Sequence, residues 1–195
     1  MSLRPEQEQA LAYVRKRGTE SSLADIESRV AGTFAAIEAA VANIPPAVAR
    51  QRPRPSAWSV QEIVDHLTVS DRLAVAQLAG LLAGSSSDEP IPAGLQSVAP
   101  LKIAWDDLQA EFRRVHQAIL DLLASASDEI DLQATTVVEM VVKCANEDGT
   151  LDTVHWLQPF DWKAFAILLH AHNREHLAQV QRTLSSLSSQ ERGAG

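Results

Sequence analysis

Apolar residues recur every three or four positions along several long stretches of the chain, which is the spacing of one face of an α-helix. In the first long stretch, Ser22 is a capping residue and Asp25 its partner three positions later. Pro45 and Pro46 then end the helix. The core-facing stripe that this spacing predicts consists of Ile26, Val30, Phe34, Ile37 and Val41.

Three further long helices follow from the same pattern, and a short one precedes them. Ser59 and Glu62 have the spacing of a capping box, so a helix should begin there. Its end is expected near Leu82, before a segment rich in serine. The short helix is predicted over Arg4 to Arg17, with Gly18 as its stop. The other two long helices are predicted over Leu101 to Ala124 and from the capping residue Asp161 to about Leu187.

The segment between the third and the last long helix has a different pattern. Residues 135–143 are rich in threonine and valine, residues 146–149 have the composition of a turn, and residues 151–157 form a candidate return strand. A small β-hairpin is therefore expected before the last helix.

These elements predict an all-α fold, a four-helix bundle with long crossover connections, since loops of about 15 and 35 residues are too long for a simple up-and-down bundle. The expected organisation is an N-terminal helical extension over residues 1–21, the bundle over 22–187 and a flexible tail over 188–195.

Composition and charge exclude several classes of function. The chain has 195 residues and a formal net charge of −8, which argues against a nucleic-acid surface and against polybasic membrane attachment. No segment approaches the roughly 20 apolar residues of a membrane span. A single cysteine, Cys144, excludes an internal disulfide or a multi-cysteine metal site, and we expect it to be packed and inert. A cytoplasmic protein acting on a small molecule is the resulting expectation.

The histidines carry the candidate chemistry. On the last helix, His172 and His176 continue an apolar stripe that begins at Phe165 and Leu169. His66 is also on the inward side of its helix by spacing. Burying three imidazoles costs free energy unless each finds a partner, and one shared divalent cation would satisfy all three. The alternative is that these histidines are hydrogen-bonded or solvated and hold no metal.

Three imidazole ligands with an open position are typical of a reactive metal site rather than a closed structural one. Zn²⁺, Ni²⁺, Fe²⁺ and Co²⁺ all accept imidazole, so the spacing does not identify the metal. The motif is not that of a His-Glu-x-x-His protease, because Asn173 replaces the glutamate. Gln179 is a candidate partner that orients His176, or else a buried polar residue bonded elsewhere.

The other histidines are assigned other positions. His170 should face away from the pair, because it lies about 200° around the helix from His172. His116 follows two arginines and is expected at the surface. His155 follows the second strand of the hairpin, and an approach to the mouth of the site is the less favoured interpretation.

Two motifs together resemble the DinB-like (DinB/YfiT-like) superfamily. One is Trp58-Ser-Val-Gln-Glu-Ile-Val-Asp-His66-Leu67 and the other is His172-Asn-Arg-Glu-His176-Leu-Ala-Gln179. The resemblance implies a four-helix bundle with non-sequential packing that is often a homodimer, and one divalent metal held by His66, His172 and His176. Characterised relatives include bacillithiol-dependent transferases and a mycothiol-dependent maleylpyruvate isomerase.

Three functions follow as hypotheses. The first is a metal-dependent enzyme, resembling a thiol S-transferase, that activates water or a low-molecular-weight thiol for transfer to a small electrophile. The second is a non-catalytic metal-binding or stress-related module, which a fourth protein ligand would favour. The third is a helical interaction protein whose histidines bind no metal.

Overall fold

A computed structural model describes residues 3–130, 133–146, 148 and 150–193. Its helices are α1 (Pro5–Glu20), α2 (Leu23–Val41), α3 (Pro46–Ala49), α4 (Val60–Leu82), α5 (Trp105–Ala124) and α6 (Trp162–Gly193). The strands are β1 (Ser87–Ile91), β2 (Thr136–Ala145) and β3 (Leu151–Phe160), and a 3₁₀ turn spans Pro100–Lys102.

Helices α2, α4 and α6 begin where their capping residues predicted. The Ser22 hydroxyl accepts a hydrogen bond from the backbone N–H of Asp25 at 3.2 Å, and Ser59 does the same for Glu62 at 3.3 Å. Asp161 accepts from the backbone N–H of Ala164 at 2.9 Å. Each bond satisfies an amide that the first turn of a helix leaves without an intrahelical partner, which fixes where the helix starts.

Helices α2, α4, α5 and α6 form the bundle. Helix α4 packs against α5 and α6, α2 packs against the same two helices, and α1 lies along α6. The predicted stripe of α2 is buried throughout, from Ile26 to Val41. Among the described residues, no helix is both long and apolar enough to cross a membrane.

A three-stranded sheet accompanies the bundle, so the all-α prediction is only approximately right. The predicted hairpin is present, with β2 antiparallel to β3 in a register that pairs Thr136 with Phe160 and Ala145 with Leu151. Of the predicted turn, Glu147 and Gly149 lie outside the described residues. Strand β1 pairs in parallel with β2 and had no counterpart in the prediction. Its three central residues are exposed, so it lacks the apolar alternation that marks a strand.

Three helix ends differ from the prediction, and one is the start of α5, which lies at Trp105 rather than Leu101. Helix α1 does not stop at Gly18 but continues to Glu20, and the glycine is buried against α6. A Cβ atom at Gly18 would lie 2.9 Å from the backbone nitrogen of Ala164, so the glycine serves a close helix–helix approach. At the other end of the chain, α6 continues through residues 188–193, which had been assigned to the tail.

Candidate metal centre

The structure brings the three predicted histidines together at one point. The Nε2 atom of His172 lies 3.1 Å from Nε2 of His66 and 3.2 Å from Nε2 of His176. One ligand atom from each residue lies within 4.8 Å of the other two. The juxtaposition follows from the packing of α4 against α6, combined with the four-residue spacing that places His172 and His176 on one face of α6.

Hydrogen bonds on the far side of two rings fix their orientation. The Nδ1–H of His66 donates to the backbone carbonyl of Leu95 at 2.6 Å, and the Nδ1–H of His176 donates to Oε1 of Gln179 at 2.7 Å. A carbonyl oxygen can only accept, so the proton of each neutral ring lies on Nδ1. The lone pairs of both Nε2 atoms therefore point toward His172.

This arrangement leaves more acceptors than donors at the centre. Nε2 of His172 can carry at most one proton, which cannot satisfy both the lone pair of His66 and that of His176. A cation among the three nitrogens would satisfy every lone pair at once. The donor set, three neutral imidazoles with oriented outer nitrogens, is one that Zn²⁺ and related divalent ions bind.

Burial keeps the rings neutral. Desolvation lowers the pKa of His172 well below its ordinary value, and the neighbouring His176 and His66 lower it further. Desolvation also lowers the pKa of His176, to about 4, with a smaller contribution from the charge of His66. The pKa of His66 is lowered as well, chiefly by burial. Unprotonated imidazole is the form that binds a metal ion, so the ligands are ready near neutral pH.

A cavity of about 570 Å³ opens beside the three rings. Helices α1, α4 and α6, strand β2 and the segment after β1 contribute its wall, which is mostly apolar. Trp58 also lines it, with its ring centroid 5.2 Å from that of His66 and 6.5 Å from that of His176. Residues from distant parts of the chain thus enclose a space large enough for a small organic molecule.

The prediction that His116 lies at the surface is wrong. Only 1% of the residue is exposed, and its ring stacks on Phe34 with centroids 3.7 Å apart. Its Nδ1 atom lies 2.6 Å from Oε1 of Glu38, and its Nε2 atom lies 3.4 Å from Oδ2 of Asp71. The two arginines before it suggested solvent, but His116 is four residues after the buried Phe112 and so lies on the same face.

These side chains form a polar cluster to which each bundle helix contributes one residue. Glu38 comes from α2, Asp71 from α4, His116 from α5 and Asn173 from α6. The amide of Asn173 donates to Asp71 at 3.1 Å, and both residues are fully buried. We call this group the four-helix cluster. Asn173 directly follows His172, and Asp71 lines the cavity, so the cluster supports one side of the candidate centre.

The remaining sequence candidates lie as follows. His170 faces α2, where Nδ1 is 2.8 Å from the hydroxyl oxygen of Thr33, as expected for a residue turned away from the pair. His155 does line the cavity, against the favoured interpretation, and its Nδ1 lies 2.9 Å from Oε1 of Glu139. Cys144 is buried, as expected for a packed residue, and burial raises the pKa of its thiol.

Comparison with known families agrees with the motifs. The sequence profile of the DinB superfamily matches residues 30–180, which include all three histidines of the centre. The chain belongs to the DinB superfamily. The match covers the four bundle helices, apart from the first residues of α2 and the end of α6, and also the sheet.

One solved structure is similar to this member of the superfamily over most of both chains. YfiT from Bacillus subtilis, described as a probable metal-dependent hydrolase with an unusual four-helix bundle topology, covers 95% of this chain and 91% of its own, with 15% identity and a TM-score of 0.48. A comparison with curated proteins found no match.

Two contributors to the centre were missed from the sequence. The carbonyl of Leu95 orients His66 through a backbone atom, which no residue type reveals. The role of Asp71 depends on partners from two other helices, His116 of α5 and Asn173 of α6. An inward position four residues after Leu67 was the available signal for Asp71, since a carboxylate there requires a buried partner.

Proposed function

We propose that this protein is a divalent-metal-dependent enzyme that acts on a small molecule in the cavity beside His66, His172 and His176. These three residues would hold the ion, and Gln179 would orient His176. When bound, the ion supplies Lewis acidity, which makes water or a thiol nucleophilic near neutral pH. The proposed reaction class is attack of that nucleophile on an electrophilic centre.

The convergence of three imidazole nitrogens with fixed outer hydrogen bonds is the observation that carries this proposal. Distances of 3.1 and 3.2 Å between Nε2 atoms place lone pairs against each other without enough protons to pair them. Histidines that were merely packed in a core would be expected to turn these nitrogens toward separate hydrogen-bond donors.

The cavity favours an enzyme over a non-catalytic metal-binding module. Within the part of the chain that the structure describes, no fourth histidine, cysteine or carboxylate joins the group of three. Coordination positions would therefore face the cavity rather than be closed by protein. Open positions next to a space of about 570 Å³ are what a reactive site needs.

The residues around the centre have definable tasks in this reaction. Leu95 and Gln179 hold the rings of His66 and His176, so that a ligand atom does not have to reorganise when the substrate enters. Trp58 forms an apolar wall over two of these rings, which limits access of bulk water to them. The apolar part of the cavity would bind the substrate by burying its carbon skeleton.

Metal analysis tests the proposal directly. The purified protein should contain close to one divalent ion per chain, and His172→Ala and His66→Ala should each lose it. His155→Ala is the matched control, because this histidine lines the same cavity but is not one of the three proposed metal ligands. Equal metal content in all four proteins, or its absence from the unmodified protein after growth and dialysis with added Zn²⁺, would contradict the proposal.

The nature of the nucleophile needs a second measurement. Metal-loaded protein should be incubated with a panel of activated esters and alkylating electrophiles, with and without an added thiol. Turnover without thiol supports hydrolysis, and turnover that depends on thiol supports transfer. Stoichiometric metal with no turnover in either series would favour the non-catalytic module.

A further inference from the structure

The charged side chains that line the cavity are acidic. Asp71, Glu139 and Glu175 contribute to the wall, and among the described residues no lysine or arginine does. The three side chains differ in exposure: Asp71 is fully buried, Glu139 is partly buried and Glu175 is exposed at the rim. The carboxylates of Glu139 and Glu175 therefore place negative charge along the wall and at the opening, while that of Asp71 is held within the four-helix cluster.

Two of the three carboxylates are held in place by hydrogen bonds. Glu139 accepts from the backbone N–H of Ala93 at 2.8 Å and lies 2.9 Å from Nδ1 of His155. Asp71 accepts from the Asn173 amide and also lies 3.4 Å from Nε2 of His116. His155, an imidazole that lines the cavity outside the metal centre, is thus already adjacent to a carboxylate.

Three basic side chains of α4 and α6 do not line the cavity. Arg72, one residue after Asp71, pairs with Glu111 at 3.0 Å and lines a separate cleft between α4 and α5. Lys163 pairs with Asp128. Arg182 is near enough for its charge to lower the pKa of His176, but it is exposed and does not line the cavity.

This distribution disfavours anionic ligands. An anion that enters an apolar cavity loses hydration, and here it would approach carboxylates without a guanidinium or ammonium group to pair with. Glu139 and Glu175 would offset part of the two positive charges of a bound divalent ion. A ligand with several carboxylates, such as a peptide-like thiol, would gain at most one favourable contact, with the ion itself.

We infer that this cavity takes uncharged or cationic apolar small molecules and excludes anionic ones, including low-molecular-weight thiols that carry carboxylates. The inference rests on the proposed function for the role of the site, and it narrows the substrate class. It also makes water, or an uncharged thiol, the nucleophile that fits the site.

Three ligands of equal skeleton test the charge preference. Cyclohexylmethanol, cyclohexylmethylammonium and cyclohexylmethanesulfonate differ in charge and do not absorb where tryptophan does. Binding to Zn²⁺-treated and to metal-free protein at pH 7 can be followed by calorimetry and by tryptophan fluorescence, to which Trp58 in the cavity wall contributes. We expect the alcohol and the ammonium ion to bind in both forms, and the sulfonate to bind at least about tenfold more weakly.

A charge reversal at the rim provides the matched comparison. Glu175→Arg should raise the affinity for the sulfonate and lower it for the ammonium ion. Glu129→Arg, which makes the same change in net charge at an exposed position outside the cavity, should leave both unchanged. Sulfonate affinity within twofold of that of the alcohol, equal effects of the two variants, or no binding by any of the three ligands would overturn the inference.

Metal content measured on the same samples separates the two proposals. If charge selection is present but no metal binds, the proposed metal-dependent activity fails and the ligand preference stands. If metal binds stoichiometrically but charge selection is absent, only the preference for uncharged and cationic ligands fails.

Discussion

Replacing His116 by alanine should strongly destabilise the protein. The two arginines before this residue suggested a surface position, but its side chain is buried. The ring is packed between Phe34 and Phe112, with centroid distances of 3.7 and 4.0 Å. Its removal leaves a cavity in the core and, at pH values where the ring is protonated, deprives the buried carboxylate of Asp71 of its cationic partner. Truncation of a large buried side chain costs about 2–5 kcal/mol, and breaking a buried ion pair from one side costs about 3–5 kcal/mol.

The two costs overlap, because both arise from the same missing ring. We therefore expect a loss of about 3–5 kcal/mol, a large part of the 5–15 kcal/mol typical of a whole domain. Glu38→Gln should cost less, about 1 kcal/mol, since the side chain of Glu38 is 27% exposed and water replaces part of its interaction.

Urea unfolding followed by circular dichroism measures these differences. His170→Ala is the control, because His170 is also a buried histidine but is bonded to Thr33 and the Arg29 carbonyl rather than to a buried charge. It should cost about 1–2 kcal/mol. A loss below about 1 kcal/mol for His116→Ala, or one no larger than that of His170→Ala, would refute the ion-pair reasoning.

The pH dependence gives a second and independent readout. Burial alone would lower the pKa of His116, but the hydrogen bonds and charges of Asp71 and Glu38 outweigh it and raise the pKa above its ordinary value of 6.5. A histidine with a raised folded-state pKa stabilises the fold fully below its unfolded pKa, near 6.5, and loses this contribution as the pH rises through the folded value. The stability difference between unmodified protein and His116→Ala should therefore shrink above neutral pH.

Three other expectations concern the centre and the helix contact. Metal-free protein should lose thermal stability as the pH falls from 6.5 to 4. The folded state lowers the pKa of His176 to about 4, so in this range the unfolded chain binds a proton that the folded protein does not. Melting curves in chelator test this, with His176→Gln as the comparison. Gln179→Leu should weaken metal binding about 10- to 100-fold, measured by competition with a chromophoric chelator, whereas Gln190→Leu should not. Gly18→Ala should cost about 1–3 kcal/mol in urea unfolding, because its Cβ would lie 2.9 Å from the backbone of Ala164, while Gly32→Ala, in open space, should not destabilise.

Local chemistry made the bundle predictable. Ser22, Ser59 and Asp161 each satisfy a helix N-terminus through a side chain close in sequence, so the starts of α2, α4 and α6 could be found without tertiary information. The convergence of His66 on the α6 pair was predictable for a related reason. The three- and four-residue spacing of apolar positions places all three rings on inward faces, and the inward faces of a bundle's helices meet in its interior.

What could not be predicted depends on partners distant in sequence. Strand β1 exists because residues 87–91 pair with β2, across a separation of about 50 residues, and not because of any apolar alternation of their own. Gly18 has the composition of a helix stop, yet the same lack of a side chain lets α1 approach α6. The local sequence allowed either a loop or a strand at residues 87–91, and either a helix stop or a close helix contact at Gly18. The tertiary contact decided between them in both cases.

The histidines show which part of the sequence signal is reliable. His66 and His116 both lie on the inward face by spacing, and both are buried, although His116 follows two exposed arginines. Spacing therefore predicts burial better than the charge of adjacent residues does, because neighbours in sequence point in directions about 100° apart on a helix. Spacing does not, however, distinguish a metal ligand from an ion-pair partner. That depends on what the opposing helices bring: imidazoles around His66, and the carboxylates of Glu38 and Asp71 around His116.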